Sequence, residues 1–246
     1  MSQVINYNGQ LINLNGGVIS ANDFPLLKGL TLWLDPDSYG GSGDWLDRST
    51  IGGGATLYNG SDFASSPNHF TFDGGSDFLK VTRNDFTTTG TIYDEVTVNM
   101  FVRSDGATGS AQNIITLEQS FEVAISGSRV DYASYPWAWR YSSEFGNYPV
   151  VADEWCMISF VHTYSNRQLF HNGNLIYDND SSAQSGDQGY LANPSGSYQY
   201  LTLAGRYTGT SSPFYGDIGH VYLHNRAMTQ DEIQYMFNLD RDKYGI

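Results

Sequence analysis

Phe214-Tyr215-Gly216-Asp217-Ile218-Gly219-His220-Val221-Tyr222-Leu223-His224, continuing as Asn225-Arg226-Ala227-Met228-Thr229-Gln230-Asp231-Glu232-Ile233, reads as a strand that hands over to a helix. The first part is rich in the aromatic and β-branched residues that fit a pleated surface. Thr229 and Glu232 then form a capping box, in which the hydroxyl and the carboxylate each satisfy a backbone N–H that the first helical turn leaves unpaired. Ile233, Met236 and Phe237 recur at helical spacing and predict one apolar face laid on a sheet.

Upstream of this stretch the signals are all β. Residues 30–35 form a half-apolar strand stopped by Pro36, and residues 95–102 alternate with period two. Residues 70–75 and 77–81 flank Gly74-Gly75, which predicts a hairpin. Residues 114–117 and 121–125 follow as strands. The clearest hairpin joins 157–162 to 168–171, and Asn172-Gly173 then turns the chain into 175–177. Residues 201–205 and 216–224 close the sheets. Near the start, residues 4–14 predict a hairpin about Asn8-Gly9, either on the sandwich edge or as an arm that docks onto a neighbouring subunit. Residues 16–28 read as a connector. No fixed-period repeat and no interior linker interrupts the chain, so the expectation is an N-terminal hairpin and connector over 1–28 and one domain over 29–246.

Composition agrees. A chain of 246 residues with 18 Tyr, 13 Phe, 27 Gly and only 15% charged residues suits a large β sandwich that buries its own core. Twelve basic against 26 acidic side chains give a net charge of −14. That field disfavours phosphate backbones and anionic lipid, whose binding needs Lys/Arg neutralisation, so nucleic acid is set aside as a partner. Cys156 is the only cysteine, so no internal disulfide can form, and its apolar neighbours predict a buried, inert thiol. The first residues lack the charged-then-apolar pattern of a secretion signal, and no apolar run approaches the roughly 20 residues needed to span a bilayer. The expectation is a protein made in a reducing cytosol, with no membrane insertion.

With the strands in order, the chain resembles the LamG-like jelly-roll family, relatives of the concanavalin A-like lectins and glucanases. Gly29-Leu30-Thr31-Leu32-Trp33-Leu34-Asp35 is similar to the family's first strand, and Trp45-Leu46-Asp47-Arg48-Ser49 with Gly52-Gly53-Gly54 to the region that follows it. Phe72-Asp73-Gly74-Gly75-Ser76-Asp77-Phe78-Leu79 resembles its F-D-G-x-x-D-Y segment, and Trp155 through Gly173 its W…N-G hairpin. The stretch from Phe214 to Ile233 is the most specific match, departing from the family at Gly219-His220, where an acidic pair is usual. The resemblance implies an all-β, two-sheet antiparallel jelly-roll sandwich with one short C-terminal helix. Short chains of this kind look like bacteriophage virion proteins. This implies a non-enzymatic structural or decorating role on a capsid or tail, localised to the virion, through contacts with other virion proteins or self-association, and with host-glycan adhesion as a further role. The alternative is a carbohydrate-binding, lectin-like module not tied to a particle.

Glycanase chemistry needs two carboxylates flanking the scissile bond. The related glucanases place them on alternate residues of one strand, a pattern missing here. Glu118 and Glu122, read as one strand, would stand about 13 Å apart. His162 and His171 could face each other across their hairpin. Many relatives bind calcium, and Asp73 and Asp77 about the Gly pair either converge on such an ion or stabilise their own turn. For glycan or partner contact the candidates are Tyr135, Trp137, Trp139 and Tyr141, with Arg140 to fix hydroxyls, inside an aromatic segment spanning 132–148. Rings in that segment serve either as core or as a contact surface. The polar loops 105–113 and 178–197 are the other candidates.

Overall fold

The alternating segments pair into two facing antiparallel sheets. The structure is a computed structural model, described over residues 4–5, 11–12, 18–19, 25–82, 95–106, 110–118, 120–127, 129–134, 138–140, 150–163, 166–179, 200–207 and 211–246. In chain order the strands are β1 (Val4–Ile5), β2 (Leu11–Ile12), β3 (Val18–Ile19), β4 (Leu30–Leu34), β5 (Trp45–Leu46), β6 (Gly54–Tyr58), β7 (Asp62–Ala64), β8 (His69–Asp73), β9 (Phe78–Val81) and β10 (Val96–Ser104). They continue as β11 (Gln112–Leu117), β12 (Phe121–Ser126), β13 (Arg129–Ser134), β14 (Ala138–Arg140), β15 (Trp155–His162), β16 (Arg167–His171), β17 (Asn174–Asn179), β18 (Leu201–Leu203) and β19 (Tyr215–His224), before helix α1 (Gln230–Tyr244).

The first sheet runs β17-β16-β15-β10-β19-β8-β7, with β4 paired to the second half of β19. The second runs β14-β13-β12-β11-β18-β9-β6-β5. Between them lies the main core, with Leu32, Phe70, Met100, Ile115, Phe160, Ile218 and Leu223 buried. Because strand side chains alternate, the residues between these core positions point to the outer face of the first sheet. There Phe101, Trp155, Met157 and Tyr222 form a second core under Ile233, Met236, Phe237 and Tyr244 of α1. The capping box at Thr229 and Glu232 is present, and Gly245 ends the helix in the left-handed region at φ 71°.

The hairpin of β15 and β16 and the turn at Asn172-Gly173 form as expected, the two turn residues at φ 49° and 78°. Cys156 is buried, and burial with the nearby Glu154 pushes its thiol up to about 12. Three expectations are corrected. The runs about Gly74-Gly75 do not pair with each other. β8 joins β7 and β19 in the first sheet, whereas β9 joins β6 and β18 in the second. A tight Gly turn serves a crossing between layers as well as a hairpin, and only the strand partners tell them apart. The connector holds a strand, because β3 adds to the β1–β2 hairpin and makes a small three-stranded sheet. His162 pairs with Arg167 rather than His171, which sits opposite Ile158.

Candidate functional site

Helix α1 covers only part of the outer face of the first sheet. Beside it, β8, β10 and β19 floor a groove of about 520 Å³. Strand register sets its chemistry: Asp217 lies opposite Arg103 on one side and Thr71 on the other, so three polar side chains meet across three strands on one face. Arg103 Nε donates to Asp217 Oδ2 at 2.6 Å, and Thr71 Oγ1 donates to Oδ1 at 2.8 Å. His69 Nδ1 donates to the Pro67 carbonyl at 2.6 Å, and its Nε2 stands 3.4 Å from Asp217 Oδ1. Trp155 backs the group, edge-on to His69 at 5.4 Å and beneath the Arg103 guanidinium at 5.5 Å.

Asp217 is 5% exposed. Burial by itself raises a carboxyl, but the hydrogen bonds from His69, Arg103 and Thr71 outweigh it and hold Asp217 below the usual aspartate value. Gly216 makes the close packing possible: at φ 147°, a Cβ there would run into the Arg103 carbonyl oxygen. The rim is acidic and aromatic. The neighbouring Asp105 raises the pKa of both Asp153 and Tyr215. Tyr215 is 42% exposed.

Two further ionic networks serve structure. Glu118 and Glu122 do not stand apart as a single strand would hold them. A turn separates them, and both reach Arg206 Nε, at 3.3 and 3.0 Å. Burial raises Glu122, against the lowering effect of Arg206 and Asn113. Asp35, Asp37 and His220 lie close enough to share a cation, but the Lys243 ammonium already stands 3.1 Å from Asp37 and 3.0 Å from Asp240. Burial opposes the ionised form of Asp35, yet His220, the Asp37 amide and Lys243 bring its pKa down to about 2.

Of the residues singled out from sequence, Tyr135, Trp137 and Tyr141 lie outside the described residues. Trp139 and Arg140 are placed by their backbone in β14, opposite Ala133 and Tyr132. Tyr132 is core, stacked on Phe160 at 3.7 Å with its hydroxyl 2.9 Å from His162 Nδ1. Asp73 Oδ1 accepts the Gly75 amide at 2.7 Å, which is the turn-stabilising role. Asp77 is raised by burial first and by the charge of Asp73 next. Of the two polar loops, 105–113 reaches the groove through Asp105. His69, Thr71, Arg103, Tyr215 and Asp217 were not distinguished by sequence. A charged residue amid the apolar run of β19 was the available signal, and only pairing reveals its partners.

Comparison with known proteins fits this architecture. Curated proteins give no match. Among solved structures, the receptor-binding domain of botulinum neurotoxin D superposes with a TM-score of 0.66 at 13% identity, over 90% of this chain and 54% of that one. The serotype D ligand-binding domain in complex with N-acetylneuraminic acid gives 0.65 at 12% identity, over 89% and 52%. A botulinum neurotoxin type C structure, described as dependent on two ganglioside molecules for cell entry, gives 0.61 at 13%, over 87% and 52%. The chain thus spans about half the length of these neighbours, and the likeness is one of fold. The family profile described as the concanavalin A-like lectin/glucanases superfamily matches residues 73–234. With the two facing sheets and the strand-to-helix ending already established, the chain is a member of that superfamily.

Proposed function

We propose that this domain is a non-catalytic binding module that holds a glycan in the groove over β8, β10 and β19. The observation that carries this reading is Asp217, a buried carboxylate held by the Arg103 and Thr71 donors, with His69 3.4 Å away, beside the exposed Tyr215. A fixed acceptor, a partly exposed guanidinium and a ring face are what a sugar's hydroxyls and C–H face require. The ganglioside and N-acetylneuraminic acid associations of two fold neighbours support a carbohydrate ligand. Against catalysis, Asp217 is engaged by Arg103 and Thr71, and Glu118 and Glu122 are both tied to Arg206. A printed glycan array probed with the full chain tests the reading. Binding to at least one glycan, with no reducing sugar released from it, is expected; release of reducing sugar overturns the non-catalytic assignment, and a blank array overturns the glycan.

The proposal extends to setting. The resemblance to bacteriophage virion proteins supports a module carried on a particle, attached through protein contacts in which the β1–β3 sheet is the candidate arm. Mass spectrometry of purified particles is the test, and absence of the chain from them removes the virion part alone.

A further inference from the structure

Tyr215 does not border one cleft but two. Beyond the groove already described, Tyr215 also lines a second cleft of about 450 Å³, formed with Asp73, Ser110, Gln112, Ser212 and Pro213. Each cleft is within the roughly 300–1,000 Å³ range of a small-molecule site, and the tyrosine is the wall they share.

That wall is held from several sides. The Tyr215 backbone N–H donates to Gln112 Oε1 at 3.0 Å, and its carbonyl accepts from the Asp105 amide at 3.2 Å. Gly74 packs against the Tyr215 Cβ so closely that a side chain there would meet it at 3.0 Å. A tyrosine with 42% of its surface open, on a backbone fixed in this way, offers a ligand area with little backbone ordering left to lose. The surrounding charge is just as specific. Exposed carboxylates of Asp73, Asp105 and Asp153 line the two clefts. Among the described lining residues the one guanidinium, Arg103, is bound to Asp217 at 2.6 Å.

We infer that the two clefts form one extended site for an uncharged oligosaccharide, with consecutive sugar units in both clefts and one unit stacked on Tyr215 between them. This rests on the glycan reading above and adds two things to it: length and neutrality. A single terminal sugar fills one cleft only. A uronate or sialyl carboxylate meets three carboxylates and, among the described lining residues, no unengaged guanidinium or ammonium.

The test is calorimetric titration of the full chain with neutral gluco-, manno- and galacto-oligosaccharides, from monosaccharide to hexasaccharide, beside oligogalacturonates and sialyllactose. Affinity is expected to climb with chain length for one neutral series and to stay weak for the acidic probes. Tyr215→Ala is expected to lower affinity for the long chain roughly tenfold and to flatten the length dependence. Tyr215→Phe retains the ring and most of the affinity, and Tyr235→Ala, on the open face of α1, changes nothing. Circular dichroism melts confirm that each variant is folded. Equal affinity for monosaccharide and oligosaccharide, preference for the acidic probes, or indifference to Tyr215→Ala overturns the two-cleft inference and leaves single-sugar binding standing. No binding to any probe in the series overturns the inference as well, and a blank glycan array beside it separates failure of the glycan reading itself.

Discussion

The hydroxyl of Tyr244 occupies the space that a side chain at position 219 would need. A Cβ built on Gly219 overlaps the Tyr244 ring and oxygen. That oxygen accepts the His220 backbone N–H at 2.9 Å and donates to His220 Nδ1 at 2.7 Å, and His220 Nε2 reaches Asp35 at 3.0 Å. Gly219 thus lets the end of the helix pack into the sheet at this point. Gly219→Ala is expected to destabilise the fold by about 1–3 kcal/mol through overpacking. A lower urea midpoint at unchanged m-value is the readout.

Asp217 ties three strands together. Asp217→Asn leaves Arg103 and His69 facing a neutral amide. Since the Arg103 side chain is 37% exposed and water screens it, the expected loss is about 1–2 kcal/mol at neutral pH. The folded carboxyl titrates below its ordinary range, so its contribution is present above that range and is lost as pH falls through the folded value. The difference between wild type and variant, followed by chemical denaturation, should therefore shrink on acidification.

Arg206 is the cation to which both Glu118 and Glu122 are joined. Arg206→Met removes it and leaves two buried carboxylates together, an expected loss of about 3–5 kcal/mol. The triple replacement Glu118→Gln, Glu122→Gln, Arg206→Met should recover much of it, which a denaturation series measures.

His224 is buried, donating from Nε2 to the Leu26 carbonyl at 2.9 Å. Burial brings its pKa from 6.5 down to about 4. Because the folded value is depressed, protonation favours the unfolded chain. Stability is full above the unfolded value and falls between pH 6.5 and pH 4, by up to about 3 kcal/mol. His224→Gln keeps a donor toward Leu26 and should flatten that limb of the melting profile relative to wild type.

Strands and their cap are local facts, and they were legible. The capping box at Thr229 and Glu232, the Asn172-Gly173 turn and the alternation through β10 and β15 each follow from neighbours in sequence. What escaped sequence reading was partnership. Gly74-Gly75 announces a reversal without saying which layer receives β9. The spacing of Glu118 and Glu122 gives a separation only if no turn intervenes. The aromatic segment drew notice by composition, and Tyr132 proved to be core, whereas Tyr215 stood inside the best-matched motif without a sign that it borders two clefts. Arg103, Thr71 and Asp217 carry no shared motif; their encounter is a product of register.

That register has a consequence for how the module responds to what it holds. Thr71 and Arg103 meet Asp217 from 146 and 114 residues away, so no contiguous fragment smaller than most of the chain can assemble the groove floor. Occupancy is thereby coupled to closure of the entire sandwich. A saturating ligand raises the free energy of global unfolding by RT ln(1 + [L]/Kd), slowing amide exchange in strands far from the ligand as well as those beside it.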